Sequence, residues 1–261
     1  MAAGRANVLV MHPSAILAAP VAAAVLAGAP CAAQNPADEA AMAVRRQAMV
    51  ALISEKAAGG VLGGQRAIEA AVLRAMREVP RHRFVPRDQV ERAYEDTPLP
   101  IGHDSTISQP LVVATMTDLL DVRPGNKVLE VGTGSGYQAA ILQRMGARVY
   151  SIEIVPELAR TAAERLVSLG YRGISVRAGD GYKGWPEAAP FDAIMVTAGA
   201  THVPAPLVEQ LKPGGRMLIP MGPYEDQRLT LVTKDAAGKV TERSLSPVRF
   251  IPLDERAREA K

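Results

Sequence analysis

The sequence predicts an α/β protein with a doubly wound, mostly parallel sheet. Apolar segments typical of strands alternate with segments of helical periodicity between residues 128 and 220, a pattern that favours this fold class. The first strand, at residues 128–131, runs through a glycine-rich segment, residues 132–136, into an apolar-periodic helix. Because such a turn presents backbone N–H groups and a helix N-terminus, it predicts a site for a nucleotide-like ligand.

The three glycines of this turn, Gly132, Gly134 and Gly136, have the spacing G-x-G-x-G. They let the chain turn tightly and let a ligand approach where a Cβ would collide. The dinucleotide fingerprint has the spacing G-x-G-x-x-G, and no P-loop lysine follows the glycines, so the pattern disfavours NAD and ATP. The hydroxyls of Thr133 and Ser135 either donate to the ligand or satisfy backbone groups within the turn.

The second strand, predicted at residues 149–154, carries Glu153 near its end. An acid at about this distance from the glycine turn usually binds the diol of a ribose. The alternative is that Glu153 only precedes the helix opened by Pro156 and Glu157, where an acid suits the helix dipole. We expect ribose binding, and therefore a nucleoside cofactor.

Further strands continue the alternation. Residues 174–176 lead to Asp180 and Gly181, which either reach a bound adenine or form an ordinary Asp-Gly turn. Residues 191–196 form a buried strand. Residues 211–220 combine a helix end, a Pro-Gly-Gly turn and another strand.

Several motifs of the chain resemble a known family. EVGTGSG with Glu153, the GDG loop and LKPGGRMLIP are similar to class I S-adenosylmethionine-dependent methyltransferases. VPRHRFVP, TPLPIGHDSTISQP, GTGSGYQAAIL, FDAIMVTAGA and VRFIPL occur in this order between about Gln65 and Leu253 and resemble protein-L-isoaspartate O-methyltransferases. The resemblance implies a Rossmann-like seven-stranded sheet with extra N-terminal helices. It also implies methyl transfer from S-adenosyl-L-methionine, which leaves S-adenosyl-L-homocysteine, to the α-carboxylate of L-isoaspartyl residues in damaged proteins and peptides.

The same resemblance implies the site residues. It makes Ser108 the catalytic residue, and we interpret its hydroxyl as a hydrogen-bond donor, since an unassisted serine is a poor base. A competing interpretation makes Ser108 the N-cap of the helix that begins near Pro110. Thr106 and Ile107 are expected in the same loop, closing over the cofactor. The implied cofactor-binding residues are Thr106, Ile107, Gly132, Thr133, Gly134, Ser135, Gly136, Glu153, Ile154, Asp180 and Gly181.

The implied reaction needs no general base, because a carboxylate with a reference pKa of about 3.9 is ionised at neutral pH. Aligning the reacting groups can supply roughly 7–11 kcal/mol. The resemblance further implies that the segment before Ser108 and residues 248–253 shape a cleft for an extended peptide. The alternative for residues 248–253 is an ordinary edge strand that Pro252 ends.

Other classes of site have little support. A net charge of +3, the absence of a long basic run and an aromatic content of 4% argue against nucleic-acid binding. His103 is expected in a solvated loop, while His82 and His202 lack a partner at metal-ligand spacing. The single Cys31 cannot build a zinc site alone. We therefore expect no metal.

The N-terminus departs from the family pattern. Residues 1–40 are interpreted as a signal-like or mis-called leader with a polar linker at residues 34–39, and residues 41–261 as one methyltransferase domain. Cleavage near Ala33 would make the protein periplasmic or secreted; a start at Met42 or Met49 would remove the leader. We expect a cytoplasmic monomer without stable membrane association, because S-adenosylmethionine is made in the cytoplasm. Helices are expected at residues 41–57 and 66–77.

Two other functions remain open at this stage. A small-molecule methyltransferase would use the same cofactor with another acceptor. A non-catalytic nucleoside-binding protein would bind the cofactor without turnover. A dehydrogenase is a weaker alternative, which binding of NAD would reveal.

Overall fold

A computed structural model describes residues 36–60 and 67–253 of the 261-residue chain. All of these residues belong to one compact unit. The predicted cleavage site near Ala33, with Cys31, lies outside the described residues. None of the helices in the described ranges is long and apolar enough to cross a membrane.

The described residues alternate between helices and strands along most of their length. The helices are α1 (Pro36–Ala58), α2 (Ala70–Glu78), α3 (Pro110–Leu120), α4 (Tyr137–Arg144), α5 (Pro156–Ser168) and α6 (Ala205–Gln210). The strands are β1 (Leu99–Gly102), β2 (Ser105–Ile107), β3 (Lys127–Val131), β4 (Arg148–Glu153), β5 (Ile174–Ala178), β6 (Phe191–Val196), β7 (Leu211–Met221), β8 (Gln227–Lys234) and β9 (Val240–Val248).

Seven of the described strands form one sheet in the order β5-β4-β3-β6-β7-β8-β9. Strands β3 to β7 pair in parallel, whereas β8 is antiparallel to both β7 and β9. The prediction of a doubly wound, mostly parallel, seven-stranded sheet is therefore confirmed. The chain winds from β3 to β4 and β5 on one side and then continues with β6 and β7 on the other, so a topological switch point lies between β3 and β6, where open α/β sheets bind ligands.

Apolar side chains cover both faces of the central strands. Val128, Leu129 and Val131 of β3 are all completely buried, as expected for a parallel strand between two helical layers. One apolar cluster contains Val128 with residues of α1 to α4, and the other contains Leu129 and Val131 with residues of β6 and β7. This burial fixes β3, and therefore the turn that follows it.

Strands β1 and β2 form a separate antiparallel hairpin. His103 and Asp104 make its turn, with φ of 51° and 50°, and His103 is exposed, as expected for a solvated residue. Thr106 and Ile107 belong to strand β2, so the prediction of a loop is wrong at these positions. Pairing of Thr106 with Pro100 and of Ile107 with Leu99 holds them in extended conformation.

Both predicted N-terminal helices have different bounds in the structure. Helix α1 begins at Pro36 and carries Asp38 and Glu39 in its first turn, where acids favour a helix N-terminus. The predicted polar linker is therefore helical from residue 36 onward. Helix α2 begins only at Ala70, because Glu69 is extended (ψ 139°) and its amide donates to Asp118 Oδ1 at 2.6 Å.

One expectation and one alternative about the C-terminal half are wrong. The Pro-Gly-Gly segment does not separate a helix from a strand, because β7 begins at Leu211 and includes it as an irregularity in its pairing with β6. Residues 249–253 are not an edge strand, since the edge strand β9 ends at Val248. They cross the carboxyl ends of the central strands instead, where Gly199 N donates to Ile251 O at 2.9 Å and Leu253 N donates to Gly199 O at 2.7 Å.

Candidate active site

A cavity of about 320 Å³ lies at the carboxyl ends of β3, β4 and β6, at the topological switch point. Three parts of the chain enclose it: the β2–α3 junction, the turn after β3, and the crossing segment after β9. Its lining comprises Pro98, Ser105, Thr106, Ile107, Ser108, Gln109, Val112, Val113, Val131, Gly132, Thr133, Gly134, Ser135, Tyr137, Gln138, Ile152, Glu153, Ile154, Gly181, Thr197, Ala198, Pro247, Val248, Arg249, Phe250, Ile251, Pro252 and Leu253. All predicted site residues belong to this lining except Gly136 and Asp180.

The glycine turn adopts the left-handed conformations that its residues predict. Gly132, Gly134 and Gly136 have φ of 98°, 52° and 88°, which side chains rarely tolerate. Gly136 lies at the N-cap of α4, outside the cavity lining, and a Cβ there would lie 3.2 Å from Leu166. Gly136 therefore serves the packing of α4, whereas Gly132 and Gly134 line the cavity.

Glu153 lies at the end of β4 and is 5% exposed. Its Oε2 accepts from the Gly134 amide at 2.8 Å, and its Oε1 accepts from the Val155 amide at 3.1 Å. Two carboxylate oxygens have about four lone-pair sites, so each oxygen can still accept from a ligand hydroxyl. The Glu153 carboxylate thus stabilises the glycine turn by hydrogen bonding and also lines the cavity.

The hydroxyls of Thr133 and Ser135 have partners within the protein. Thr133 Oγ1 lies 2.6 Å from Ser151 Oγ, and Ser135 Oγ accepts from the Tyr137 amide at 3.3 Å. Both residues are buried. Ser135 therefore satisfies a backbone N–H at the start of α4, whereas Thr133 bonds to a side chain of β4. Donation from either hydroxyl to a ligand stays a prediction.

Glu130 is a buried acid beneath the glycine turn that the sequence did not single out. Its Oε2 accepts from Ser151 Oγ, and its Oε1 has no partner among the described residues. The pKa of the Glu130 carboxyl is raised to about 8, mainly by burial and also by the nearby Glu153 carboxylate, while the hydrogen bond from Ser151 opposes the shift. The carboxyl is therefore mostly protonated at neutral pH.

Of the two residues Asp180 and Gly181, only Gly181 lines the cavity. Asp180 Oδ1 accepts from the Tyr182 amide at 3.0 Å, which is the ordinary Asp-Gly turn, and Asp180 lies outside the cavity lining. Gly181 lines the cavity, and a Cβ at this residue would collide with the Val131 side chain. The close approach of this turn to β3 therefore requires glycine.

Ser108 lines the cavity between β2 and α3, but it is not the N-cap of α3. The N-cap is Gln109, whose side chain makes no capping hydrogen bond. The carboxylate of Asp96 caps the helix instead, since its Oδ1 accepts from the Leu111 amide at 2.9 Å. Within the described part of the chain, the Ser108 hydroxyl has no hydrogen-bond partner, which leaves it available to a ligand in the cavity.

Thr197 and Gln138 also line the cavity, although neither was predicted from the sequence. Thr197 follows β6, and its hydroxyl donates to the carbonyl oxygens of Val131 and Gly132. Gln138 follows the glycine turn on α4 and donates to Thr117 at 3.0 Å. Their positions directly after a strand end and a glycine turn were the signals available in the sequence.

His82, in contrast, belongs to the protein interior. Its Nδ1 lies 2.7 Å from the Tyr94 hydroxyl and its Nε2 lies 3.3 Å from Glu39 Oε1. Burial lowers the pKa of this imidazole, although Glu39 opposes the shift. No group of three or more His, Cys, Asp and Glu residues able to hold a metal ion occurs in the described ranges.

Comparisons with known proteins agree with this geometry. A family model described as Protein-L-isoaspartate(D-aspartate) O-methyltransferase (PCMT) matches residues 51–258. The chain belongs to this family. A protein-L-isoaspartate O-methyltransferase of Gloeobacter violaceus is 57% identical over 190 residues, which are 72% of this chain and 92% of that protein. Protein-L-isoaspartate O-methyltransferase 1 of Cupriavidus necator is 51% identical over 232 residues, which are 88% of this chain and 89% of that protein.

A solved structure of the same family supports the fold. It is a putative protein-L-isoaspartate O-methyltransferase from Plasmodium falciparum in complex with S-adenosyl-L-homocysteine. It superimposes with a TM-score of 0.68 at 25% identity, over 80% of this chain and 98% of that chain. The family's shared architecture therefore extends over most of the described residues.

Proposed function

We propose that this protein uses S-adenosyl-L-methionine to methylate the α-carboxylate of L-isoaspartyl residues in damaged proteins and peptides, the first step of their repair. The observation that carries the proposal is the family membership of residues 51–258, which include every part of the cavity lining. The family resemblance assigns catalysis to Ser108, which lines that cavity. The protein is accordingly an enzyme, a protein-L-isoaspartate O-methyltransferase.

The cavity has the features that a nucleoside cofactor needs. Its volume of about 320 Å³ is within the usual range for small-ligand sites. Ile152, Ile154 and Leu253 provide apolar contact, and Glu153 provides acceptors for a ribose diol. Gly132 and Gly134 leave room for a ligand against the backbone. Bound S-adenosyl-L-methionine would supply the methyl group.

Ser108 would act on the acceptor by orientation. Its hydroxyl can donate a hydrogen bond to the substrate carboxylate, which is already ionised at neutral pH. No residue needs to remove a proton, so the chain's contribution is to hold the carboxylate in line and to exclude water. Thr106 and Ile107, held in the β1–β2 hairpin, would close the cavity on the side where the carboxylate enters.

The crossing segment after β9 would contribute to the peptide cleft. Residues 247–253 line one side of the cavity and the β2–α3 junction lines the other. An extended peptide between them would bind mainly through its backbone, because main-chain hydrogen bonds carry little side-chain information. Such binding would suit an enzyme whose damaged substrates differ in sequence.

Methyl transfer from labelled S-adenosyl-L-methionine to a synthetic L-isoaspartyl peptide tests the proposed function. The matched control is the same peptide with L-aspartate. We expect label on the first peptide only. Label on neither peptide, with S-adenosyl-L-homocysteine still raising the melting temperature, would contradict the repair function and favour another acceptor or a non-catalytic binder. Stabilisation by NAD instead would favour a dehydrogenase.

The compartment and the oligomeric state are part of the same proposal. We expect a cytoplasmic protein, because the cofactor is made in the cytoplasm, and we expect it to be a monomer without stable membrane association. Intact-mass measurement of the protein from its native cells tests the compartment. A mature N-terminus at Gln34 would contradict it, and size-exclusion chromatography with light scattering tests the monomer.

A further inference from the structure

Asp96 connects helix α1 to the start of helix α3. Its side chain is 4% exposed. Oδ2 accepts from Lys56 Nζ at 2.7 Å and from Gln109 Nε2 at 3.1 Å, while Oδ1 accepts from the Leu111 amide at 2.9 Å. The two oxygens of one carboxylate therefore hold the residues on both sides of Pro110.

The start of α3 depends on this carboxylate. Pro110 has no N–H group, and the Gln109 side chain does not cap its own helix. Without Asp96 the buried first turn would contain an amide with no acceptor, which is costly. A negative charge is also favourable at a helix N-terminus. Asp96 thus has the capping role that one interpretation of the sequence gives to Ser108.

The buried side chain of Arg81 holds the segment that carries Asp96. Arg81 is completely buried; its Nε donates to Ala93 O at 2.9 Å and its Nη2 to Thr97 O at 3.5 Å. Burial lowers the pKa of Arg81 to about 10, so the guanidinium remains charged at neutral pH. These contacts fix the backbone on both sides of Asp96.

We propose that Asp96 is a positioning residue for the methyl-transfer reaction, which holds Gln109 and Leu111 so that Ser108 keeps its place in the cavity. Ser108 precedes Gln109 directly and has no hydrogen bond of its own to the described residues. Its position therefore follows from the residues that Asp96 binds. This proposal rests on the proposed function and on the role of Ser108 in it.

The test compares Asp96→Ala with Asp192→Ala. Asp192 is a matched control because it accepts from Lys212 Nζ at 2.6 Å and from the Lys127 amide at 2.7 Å, the same kinds of donor, but lies outside the cavity lining. Both variants lose an ion pair and a backbone hydrogen bond, and Asp96→Ala also loses the hydrogen bond from Gln109. Only in Asp96→Ala are the lost hydrogen bonds close to Ser108.

We expect Asp96→Ala to lower kcat roughly tenfold or more, while the KM for the isoaspartyl peptide and the Kd for S-adenosyl-L-homocysteine change by less than about threefold. Asp192→Ala should lower the melting temperature and leave kcat within about twofold. In a Ser108→Ala background, Asp96→Ala should have almost no further effect on kcat, because it acts through Ser108.

Unchanged kcat in Asp96→Ala, or effects of Asp96→Ala and Ser108→Ala that multiply, would overturn the positioning role. If Asp96→Ala does not fold, Asp96→Asn replaces it. This variant keeps an oxygen for the Leu111 amide but loses acceptors for Lys56 and Gln109, so we expect a smaller loss of kcat with the same non-additivity. An inactive wild-type enzyme would instead overturn the proposed function, and the positioning role with it.

Discussion

The Thr197 hydroxyl donates to the Gly132 carbonyl oxygen at 2.7 Å and to the Val131 carbonyl oxygen at 3.0 Å. The Thr197 amide donates to the same Val131 oxygen at 2.9 Å. These bonds join the ends of β3 and β6 at the switch point of the sheet. They also bring Thr197 so close to Gly132 that a Cβ on Gly132 would collide with Thr197 Oγ1.

We predict that Gly132→Ala lowers affinity for S-adenosyl-L-homocysteine roughly tenfold or more. The methyl group would displace Thr197 and distort the turn that lines the cavity, and each hydrogen bond lost costs about 1 kcal/mol. Isothermal titration calorimetry measures the affinity. Gly170→Ala is the matched control, because Gly170 has a similar φ of 84° with nothing within 4 Å of its Cβ position. Equal affinity in the two variants would contradict the role of Gly132.

Glu153→Gln should weaken the same ligand through lost acceptors. The glutamine side chain keeps one oxygen, which can accept from only one of the two backbone amides, Gly134 or Val155. Its NH2 group then faces the remaining backbone amide and cannot accept from it. Hydrogen bonds to a charged group contribute about 1.5–3 kcal/mol, so we expect the Kd to rise roughly tenfold or more. Glu187→Gln, on an exposed ion pair with Arg177, controls for the loss of charge. A Kd that is the same in both variants would leave ribose binding without support.

The sequence predicted the parts of the fold and site that depend on local patterns. The strand, glycine turn and helix around Gly132 and Gly134 lie within a short stretch of chain, and their conformations follow from residue type. Glu153 was found because a strand end brings it to the turn. The predicted bounds of β6, residues 191–196, agree with the structure because every residue of this strand except Asp192 is apolar.

The sequence did not predict contacts between distant residues. Thr197 and Gly132 are 65 positions apart, and Glu130 meets Ser151 across two paired strands. One interpretation of the sequence makes Ser108 the N-cap of α3, because a serine there satisfies the local rule, whereas the actual acceptor is Asp96, 15 positions before Leu111. Helix and strand periods do not specify which buried polar side chain supplies such a partner.

Ser108→Ala should reduce kcat without reducing stability. The Ser108 hydroxyl has no partner among the described residues, and Asp96 caps α3, so the free energy of unfolding should change by less than about 0.5 kcal/mol. Loss of a donor aimed at the reacting carboxylate should lower kcat about 10²-fold. Methyl transfer to an isoaspartyl peptide and thermal unfolding measure the two effects. Ser168→Ala, an exposed serine on α5, is the control, and full activity in Ser108→Ala would exclude the catalytic role.

Glu130 should make the stability of the enzyme fall as the pH rises. Its pKa is 4.5 in the unfolded chain and about 8 in the folded protein, so between these values the folded carboxyl holds a proton that the unfolded one releases. Unfolding therefore releases a proton, and stability falls by about 1.4 kcal/mol per pH unit in this window. Below pH 4.5 the Glu130 carboxyl is protonated in both the folded and the unfolded state, so it no longer makes stability depend on pH.

Glu130→Gln should remove this dependence, because an amide does not titrate. Urea unfolding of the wild type and Glu130→Gln at about pH 5.5, 6.5 and 7.5 measures it, and we expect the free-energy advantage of the wild type to decline steadily with pH. His82 has the opposite effect, because its pKa is lowered in the folded protein and unfolding therefore takes up a proton. Its contribution to stability increases as the pH rises toward the usual pKa of histidine. Its contribution is the same in both proteins and cancels in the difference. A difference that stays constant with pH would mean that the folded Glu130 carboxyl is ionised throughout this range.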